Sequence, residues 1–202
     1  PQAASDPTGF VMSKTSLDVT TILSRHIFFR SADGHVHELR SDPTGASWQY
    51  QNLTAATGAP AAAGNPSGYP FLWDDTLHVV YRGVDGTIHE LWRDATTWHH
   101  NAIGHGFPKS KSDPSGFVFE GNGTQHVVYR GEDDDIHELF WDAFGWHHMN
   151  PITAQGDAPL TDIDPTGNAF EQQGTLHVVY GLCELVWYQK WHPGFFFELD
   201  QP

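Results

Sequence analysis

The apolar residues of this chain fall in short runs divided by turn residues. His78-Val79-Val80-Tyr81 and Ile88-His89-Glu90-Leu91 flank the hairpin signal Asp85-Gly86, and Trp98 opens the next run. Such runs of about five residues, rich in Val, Ile, Phe, Tyr and Trp, suit short strands. The 3.6-residue period of an amphipathic helix is absent throughout. The pattern predicts an all-β chain.

The pattern also repeats. A Pro-Gly punctuation occurs at Asp6–Gly9, Asn65–Gly68, Asp113–Gly116 and Asp164–Gly167. A run headed by His26, His78, His126 or His177 follows each. A third run holds Glu38, Glu90, Glu138 or Glu184, and Trp48, Trp98, Trp146 or Trp191 opens a fourth. Four antiparallel strands in a repeat of about fifty residues mark a β-propeller blade. The reading is a four-bladed β-propeller, one domain over residues 1–202, with blades at about 1–58, 59–106, 107–157 and 158–202. Side-chain packing between the last and first blades would seal the ring; the alternative is a partial ring that closes by oligomerisation.

Two blades depart from the pattern. Blade 1 has extra residues around Leu17 to Ile22, which predict a longer loop or an extended strand pair. Blade 4 is shortened after His177 and loses the Arg, the Asp-Gly turn and the third-strand His.

The repeated polar residues have two readings each. Glu38, Glu90 and Glu138 sit inside apolar runs, where a carboxylate is costly unless paired. They can accept from ligand hydroxyls, or pair with Arg30, Arg82 and Arg130 at the ends of the second strands. Trp48, Trp98 and Trp146, with Tyr81 and Tyr129, offer flat faces to a sugar or fill the core between blades. His26, His78, His126 and His177 are candidate ligands for a metal ion in a central channel, or are structural. In His99-His100 and His147-His148 the two neighbours point to opposite faces of a strand, so one packs between blades and one faces solvent. The acidic run 132–135 lacks the spacing of a calcium loop and reads as a solvated turn. No nucleophile motif or phosphate loop is visible.

Composition narrows the partners. The formal charge is −15, and the ten basic residues form no run, which argues against nucleic acid and anionic membranes. No apolar run reaches the length of a membrane span. One cysteine, Cys183, permits no internal disulfide and leaves the compartment open, and no signal peptide is seen. Asn52-Leu53-Thr54 and Asn122-Gly123-Thr124 fit the glycosylation pattern. Fourteen histidines predict a response to mildly acid pH.

The segments "HVVYRGVDGTIHELWRD" and "HVVYRGEDDDIHELFWDAFGW" resemble blades of the fucose-binding propeller lectins of fungi and soil bacteria. In that family an Arg and a Glu on the second and third strands hold the sugar, and aromatics of the adjacent blade stack on it. The resemblance implies that role for Glu38, Glu90 and Glu138. The family's Arg position is held by His26, His78 and His126, and Arg30, Arg82 and Arg130 lie later in the strand. The expectation is a non-catalytic, lectin-like module for a neutral sugar or similar small ligand, with up to three sites, no cofactor, and scope for a homo-oligomer. The competing class is a cofactor-independent cyclase or isomerase with a pocket at the propeller mouth.

Overall fold

The computed structural model describes residues 1–15, 21–150, 163–182, 185–191 and 197–200. It is a four-bladed β-propeller in which each blade is a four-stranded antiparallel sheet in chain order. Blade 1 is β1 (Thr8–Thr15), β2 (Thr21–Arg30), β3 (Val36–Ser41) and β4 (Trp48–Asn52). Blade 2 is β5 (Ser67–Phe71), β6 (Thr76–Arg82), β7 (Ile88–Arg93) and β8 (Trp98–Asn101). Blade 3 is β9 (Ser115–Phe119), β10 (Thr124–Arg130), β11 (Ile136–Asp142) and β12 (Gly145–Met149). Blade 4 is β13 (Thr166–Phe170), β14 (Thr175–Leu182), β15 (Leu185–Trp191) and β16 (Phe197–Asp200).

The first hairpin of blade 1 is paired as far as Thr15 opposite Thr21, and residues 16–20 of the expected insertion lie outside the described residues. A short helix, α1 (Leu53–Thr57), was not expected, because five residues are too few to show a period. Its ends explain it. The Asn52 side chain accepts from the Ala55 N–H, and Gly58 takes the left-handed conformation that closes the last turn. Asn52 of the first glycosylation triplet is thus spent on a cap. No helix among the described residues is long and apolar enough to cross a membrane.

Blades stack face to face, with first strands adjacent: β1 on β5, β5 on β9 and β9 on β13. The second strands are covered on both faces, so Val79 and Val80 are both fully buried. This is why these runs show no alternation. Phe28 and Val36 pack on Val79, Tyr81, Leu91 and Trp98. Tyr69 and Val80 do the same with Val127, Tyr129 and Leu139, and Phe117 and Val128 with Leu176, Val178 and Tyr180.

The Pro-Gly punctuation is an inter-blade joint. A Cβ on Gly68 would lie 2.6 Å from the Phe28 ring, on Gly116 2.3 Å from Tyr69, and on Gly167 1.9 Å from Phe117. Each ring belongs to the preceding blade and occupies the space a side chain would need. The arginines ending the second strands grip the same joints. Arg30 donates to the Gly64 carbonyl, Arg82 lies 3.8 Å from Asp113, and Arg130 lies 3.7 Å from Asp164.

Among the described residues, side chains on the two end faces of the row of blades are left partly exposed. Ile27 and Leu39 of blade 1 occupy the places of Val79 and Leu91 but are only half-buried. On that face Val11 is 58% exposed, Trp48 48% and Tyr50 49%. At the other end Val179 is half-buried and Phe170 is 43% exposed. The expected side-chain seal between blades 4 and 1 is therefore not made among the described residues.

Blade 4 also corrects the strand alignment. Trp191 does not open its fourth strand; it ends β15, opposite Leu176 and Phe197. The position of the repeated Glu, opposite Val179, is held by Tyr188. Cys183 and Glu184 lie outside the described residues.

Candidate functional site

The repeated Glu does not pair with the repeated Arg. It pairs with the histidine that heads the second strand. His26 Nδ1 lies 2.7 Å from Glu38 Oε1, His78 Nδ1 2.8 Å from Glu90 Oε1, and His126 Nδ1 2.6 Å from Glu138 Oε1. Register places the two on one face, with the His two residues along the strand from the Glu's direct partner. All six side chains are buried. The other ring nitrogen, Nε2, meets a hydroxyl: Ser24 at 2.8 Å, Thr76 at 2.6 Å, Thr124 at 2.8 Å, and Thr175 at 2.7 Å from His177. An aromatic ring of the first strand stacks on the first three imidazoles: Phe10, Tyr69 and Phe117.

This arrangement relocates several candidates. His26, His78, His126 and His177 are one strand removed from the inner strands and are spent within their own blades. No group of three or more His, Cys, Asp or Glu among the described residues is placed to hold a metal ion. Tyr81 and Tyr129 are fully buried and donate to the carbonyls of Pro60 and Pro108. Trp98 is 7% exposed in the core between blades 1 and 2, Trp146 is half-buried, and Trp48 lies on the partly exposed end face. Arg30, Arg82 and Arg130 sit at the joints described above. In the acidic run, Asp133 meets His137 and Asp134 meets Lys111 and Arg130, so side-chain partners hold the turn that the sequence predicts there.

The Ser24–His26–Glu38 line has the order of a nucleophile, a base and a carboxylate. Thr76–His78–Glu90 and Thr124–His126–Glu138 repeat it elsewhere, which identifies it as a unit that builds blades. A second unit lies on the opposite face. His89 meets Asp85 at 3.2 Å and His100 at 3.0 Å, and His137 meets Asp133 at 2.9 Å and His148 at 3.0 Å. Burial holds His100 and His148 below the usual histidine range, with the neighbouring imidazole adding to the effect. Burial also lowers His37, whose Nδ1 meets Tyr50 at 2.6 Å. As expected, the other member of each His-His pair turns outward: His99 bonds Asp94 and His147 bonds Asp142.

A cavity of about 390 Å³ opens between blades 1 and 2. Ser24, His26, Arg40 and Gln49 line it from blade 1, and Leu77 and Arg93 from blade 2. A smaller one of about 100 Å³ shares Arg40 and Gln49 and reaches Glu38, Tyr50 and Gln51. The larger cavity offers hydroxyl, amide and guanidinium donors beside the apolar surface of Met12 and Leu77. That mixture suits a small ligand rich in hydroxyl groups.

Sequence reasoning missed Arg40 and Arg93, yet the signal was present as a break in the repeat. Arg40 stands opposite His26, where Trp92 faces His78 and Phe140 faces His126. Arg93 stands opposite Leu77, where Trp141 faces Gln125 and Trp191 faces Leu176. The corresponding positions at the other two interfaces are therefore aromatic, and Trp141 packs edge-on against Phe71 of blade 2.

No family model and no curated protein matches the chain. Solved structures share the fold. AofleA from Arthrobotrys oligospora superposes with a TM-score of 0.70 at 14% identity, over 99% of this chain and 57% of that one. Aleuria aurantia lectin, a fungal lectin described as a six-bladed β-propeller with a novel fucose recognition mode, gives 0.68 at 14%, over 98% and 61%. A fucose lectin from Kordia zhangzhouensis, in complex with methyl-fucoside, gives 0.53 at 20%, over 71% and 97%. The chain thus spans less than two thirds of the length of the two fungal proteins.

Proposed function

We propose that this protein is a non-catalytic, lectin-like module that binds a sugar in the cavity between blades 1 and 2. The observation that carries the reading is the cavity itself. It brings donors and an apolar floor together where the other interfaces carry aromatics at the matching positions. It adjoins the His26–Glu38 pair, the place the family resemblance assigns to sugar recognition. The likeness to fucose-binding propellers supports a saccharide as the ligand class. Ring C–H patches would rest on Met12 and Leu77, and hydroxyls would bond Ser24, Gln49 and the guanidiniums. A glycan array tests the reading. A hit should be retained by the wild type and lost in Arg93→Trp, which places in this cavity the aromatic found at the same position of blade 3.

The partly exposed end faces support association of copies. The blade 1 face is continuous in kind with the inter-blade core, and on the far face of blade 4 Val179 and Phe170 are partly exposed. Packing one on the other between two copies is a head-to-tail contact. It would cover Val11, Trp48 and Val179 as the other interfaces cover their equivalents.

A further inference from the structure

The cavity between blades 1 and 2 holds two arginines that make no ion pair among the described residues. Arg40 donates to Gln49 Oε1 at 2.6 Å and makes no ion pair among the described residues. Arg93 makes neither an ion pair nor a hydrogen bond there. Burial, and then the Arg40 guanidinium, hold its pKa below the usual arginine value, against a smaller opposing pull from the Glu38 and Asp94 carboxylates. Two like charges therefore converge on one cavity, in a chain with 25 acidic residues and only ten basic ones. Two other arginines are ion-paired, Arg82 with Asp113 and Arg130 with Asp134 and Asp164, and Arg30 is held by the Ala4 and Gly64 carbonyls.

Three carboxylates also border the cavity, and two are committed to their own loops. Asp42 accepts from the Ala46 and Ser47 N–H groups and from the Thr44 and Ser47 hydroxyls. Asp94 accepts from the Thr96 and Thr97 N–H groups, the Thr96 hydroxyl and His99. Those bonds hold both carboxyls well below the usual carboxylate range, so they stay ionised and turned to their donors. Asp75, the third, closes the β5–β6 turn with a positive φ of 62° and is itself engaged. Glu38, behind Arg40, is held by His26. Leaving partly desolvated cations without a partner is unfavourable, and a group so placed in a cavity is a functional-site signal.

We propose that Arg40 and Arg93 receive an oxyanion carried by the ligand, so that the sugar recognised here is acidic: a carboxylate- or sulfate-bearing saccharide. This rests on the lectin reading above and names its ligand class. Guanidinium forks match the geometry of both anions and bind them by paired charge-assisted hydrogen bonds. The distant acidic residues of the protein oppose such a ligand only weakly, because exposed charges are screened beyond about 8 Å in physiological salt, and the aspartates at the cavity are what the two guanidiniums must outweigh. The break in the repeat has the same explanation. Trp92 and Trp141, and Phe140 and Trp191, hold the matching sequence positions of the other two described interfaces, and of these three interfaces this one alone carries two cations there.

The test is a glycan array built of matched triplets, such as galactose, galacturonic acid and galactose 6-sulfate, with inorganic sulfate titrated in parallel. The acidic members should bind about tenfold or more tightly than the neutral one, as expected for charge-assisted bonds. The two acidic arms tell carboxylate from sulfate. Arg93→Gln and Arg40→Gln should each erase the preference, and added salt should weaken the acidic members alone. Should a variant fail to fold, the wild-type ranking and its salt dependence decide. Equal binding of neutral and acidic members overturns the acidic-sugar inference and leaves the lectin reading standing. Sulfate binding without any glycan binding, lost in Arg93→Gln, overturns the lectin reading and keeps the oxyanion site. Binding of neither glycan nor sulfate overturns both.

Discussion

His78 Nδ1 lies 2.8 Å from Glu90 Oε1, and the second oxygen of Glu90 accepts from Asn101 Nδ2 at 3.0 Å. Both partners are buried, so the pair holds β6 to β7 in the middle of blade 2. Removing one partner strands the other in the core. Glu90→Ala should destabilise the fold by about 3–5 kcal/mol, the range for breaking a buried pair. Glu138 lacks the second partner, because Met149 stands where Asn101 does, and its Oε2 is unsatisfied. Glu138→Gln should therefore cost less than Glu90→Gln. Urea unfolding of the two variants checks the order. The reverse order would mean that Asn101 contributes nothing.

The joints between blades make a second prediction. Gly116→Ala must push the Tyr69 ring out of its seat, since the new Cβ would lie 2.3 Å from it. Overpacking of this kind costs about 1–3 kcal/mol. Melting of Gly116→Ala should fall accordingly, and pairing it with Tyr69→Leu should recover part of the loss.

Much of this fold was legible because the chain repeats itself. The Pro-Gly punctuation and the His-headed runs of all four repeats, and the Glu-bearing runs of the first three, each marked a strand or joint of the structure. What the repeat could not reveal was the partner of each residue. Glu90 has Arg82 and His78 on its own face of the same hairpin, each two residues from its direct partner Val80, and only the side-chain contacts show that His78 turns to it while Arg82 reaches for the next blade. The same limit moved Trp191 to the wrong strand, since a shortened hairpin shifts register without changing residue types. The cavity was harder to see. Arg40 and Arg93 became meaningful only when their columns were read against Trp92, Phe140 and Trp141.

Acid pH should weaken the fold. His37, His100 and His148 have folded pKa values lowered mainly by burial. At neutral pH they are uncharged in both states and favour neither. As pH falls below about 6.5, the unfolded chain takes up protons that the folded chain resists, so stability declines through the folded values. Asp85 and Asp133, beside the two His-His pairs, remain ionised across this range. Burial raises their pKa values, but hydrogen bonds from Thr87 and His89, and from His137 and Asp135, outweigh it. Melting temperature should drop between pH 7.5 and 5.5, and His100→Gln with His148→Gln should flatten the curve. An unchanged slope in the double variant would remove these histidines from the account.

The partly exposed end faces predict association. Sedimentation should show species larger than one chain, growing with concentration. Trp48→Lys and Val11→Lys, on the exposed face of blade 1, should return the protein to one chain without lowering its melting temperature at low concentration. A wild type that stays single at all concentrations would contradict the head-to-tail contact.

The central claim is that sugar binds between blades 1 and 2 and not at all blade interfaces alike. The most direct measurement is the calorimetric stoichiometry of the best glycan, on the wild type and on Arg93→Trp. The account predicts one site per chain, abolished in a variant that keeps its strand-rich circular dichroism. Three sites per chain, or binding unchanged in Arg93→Trp, would contradict it.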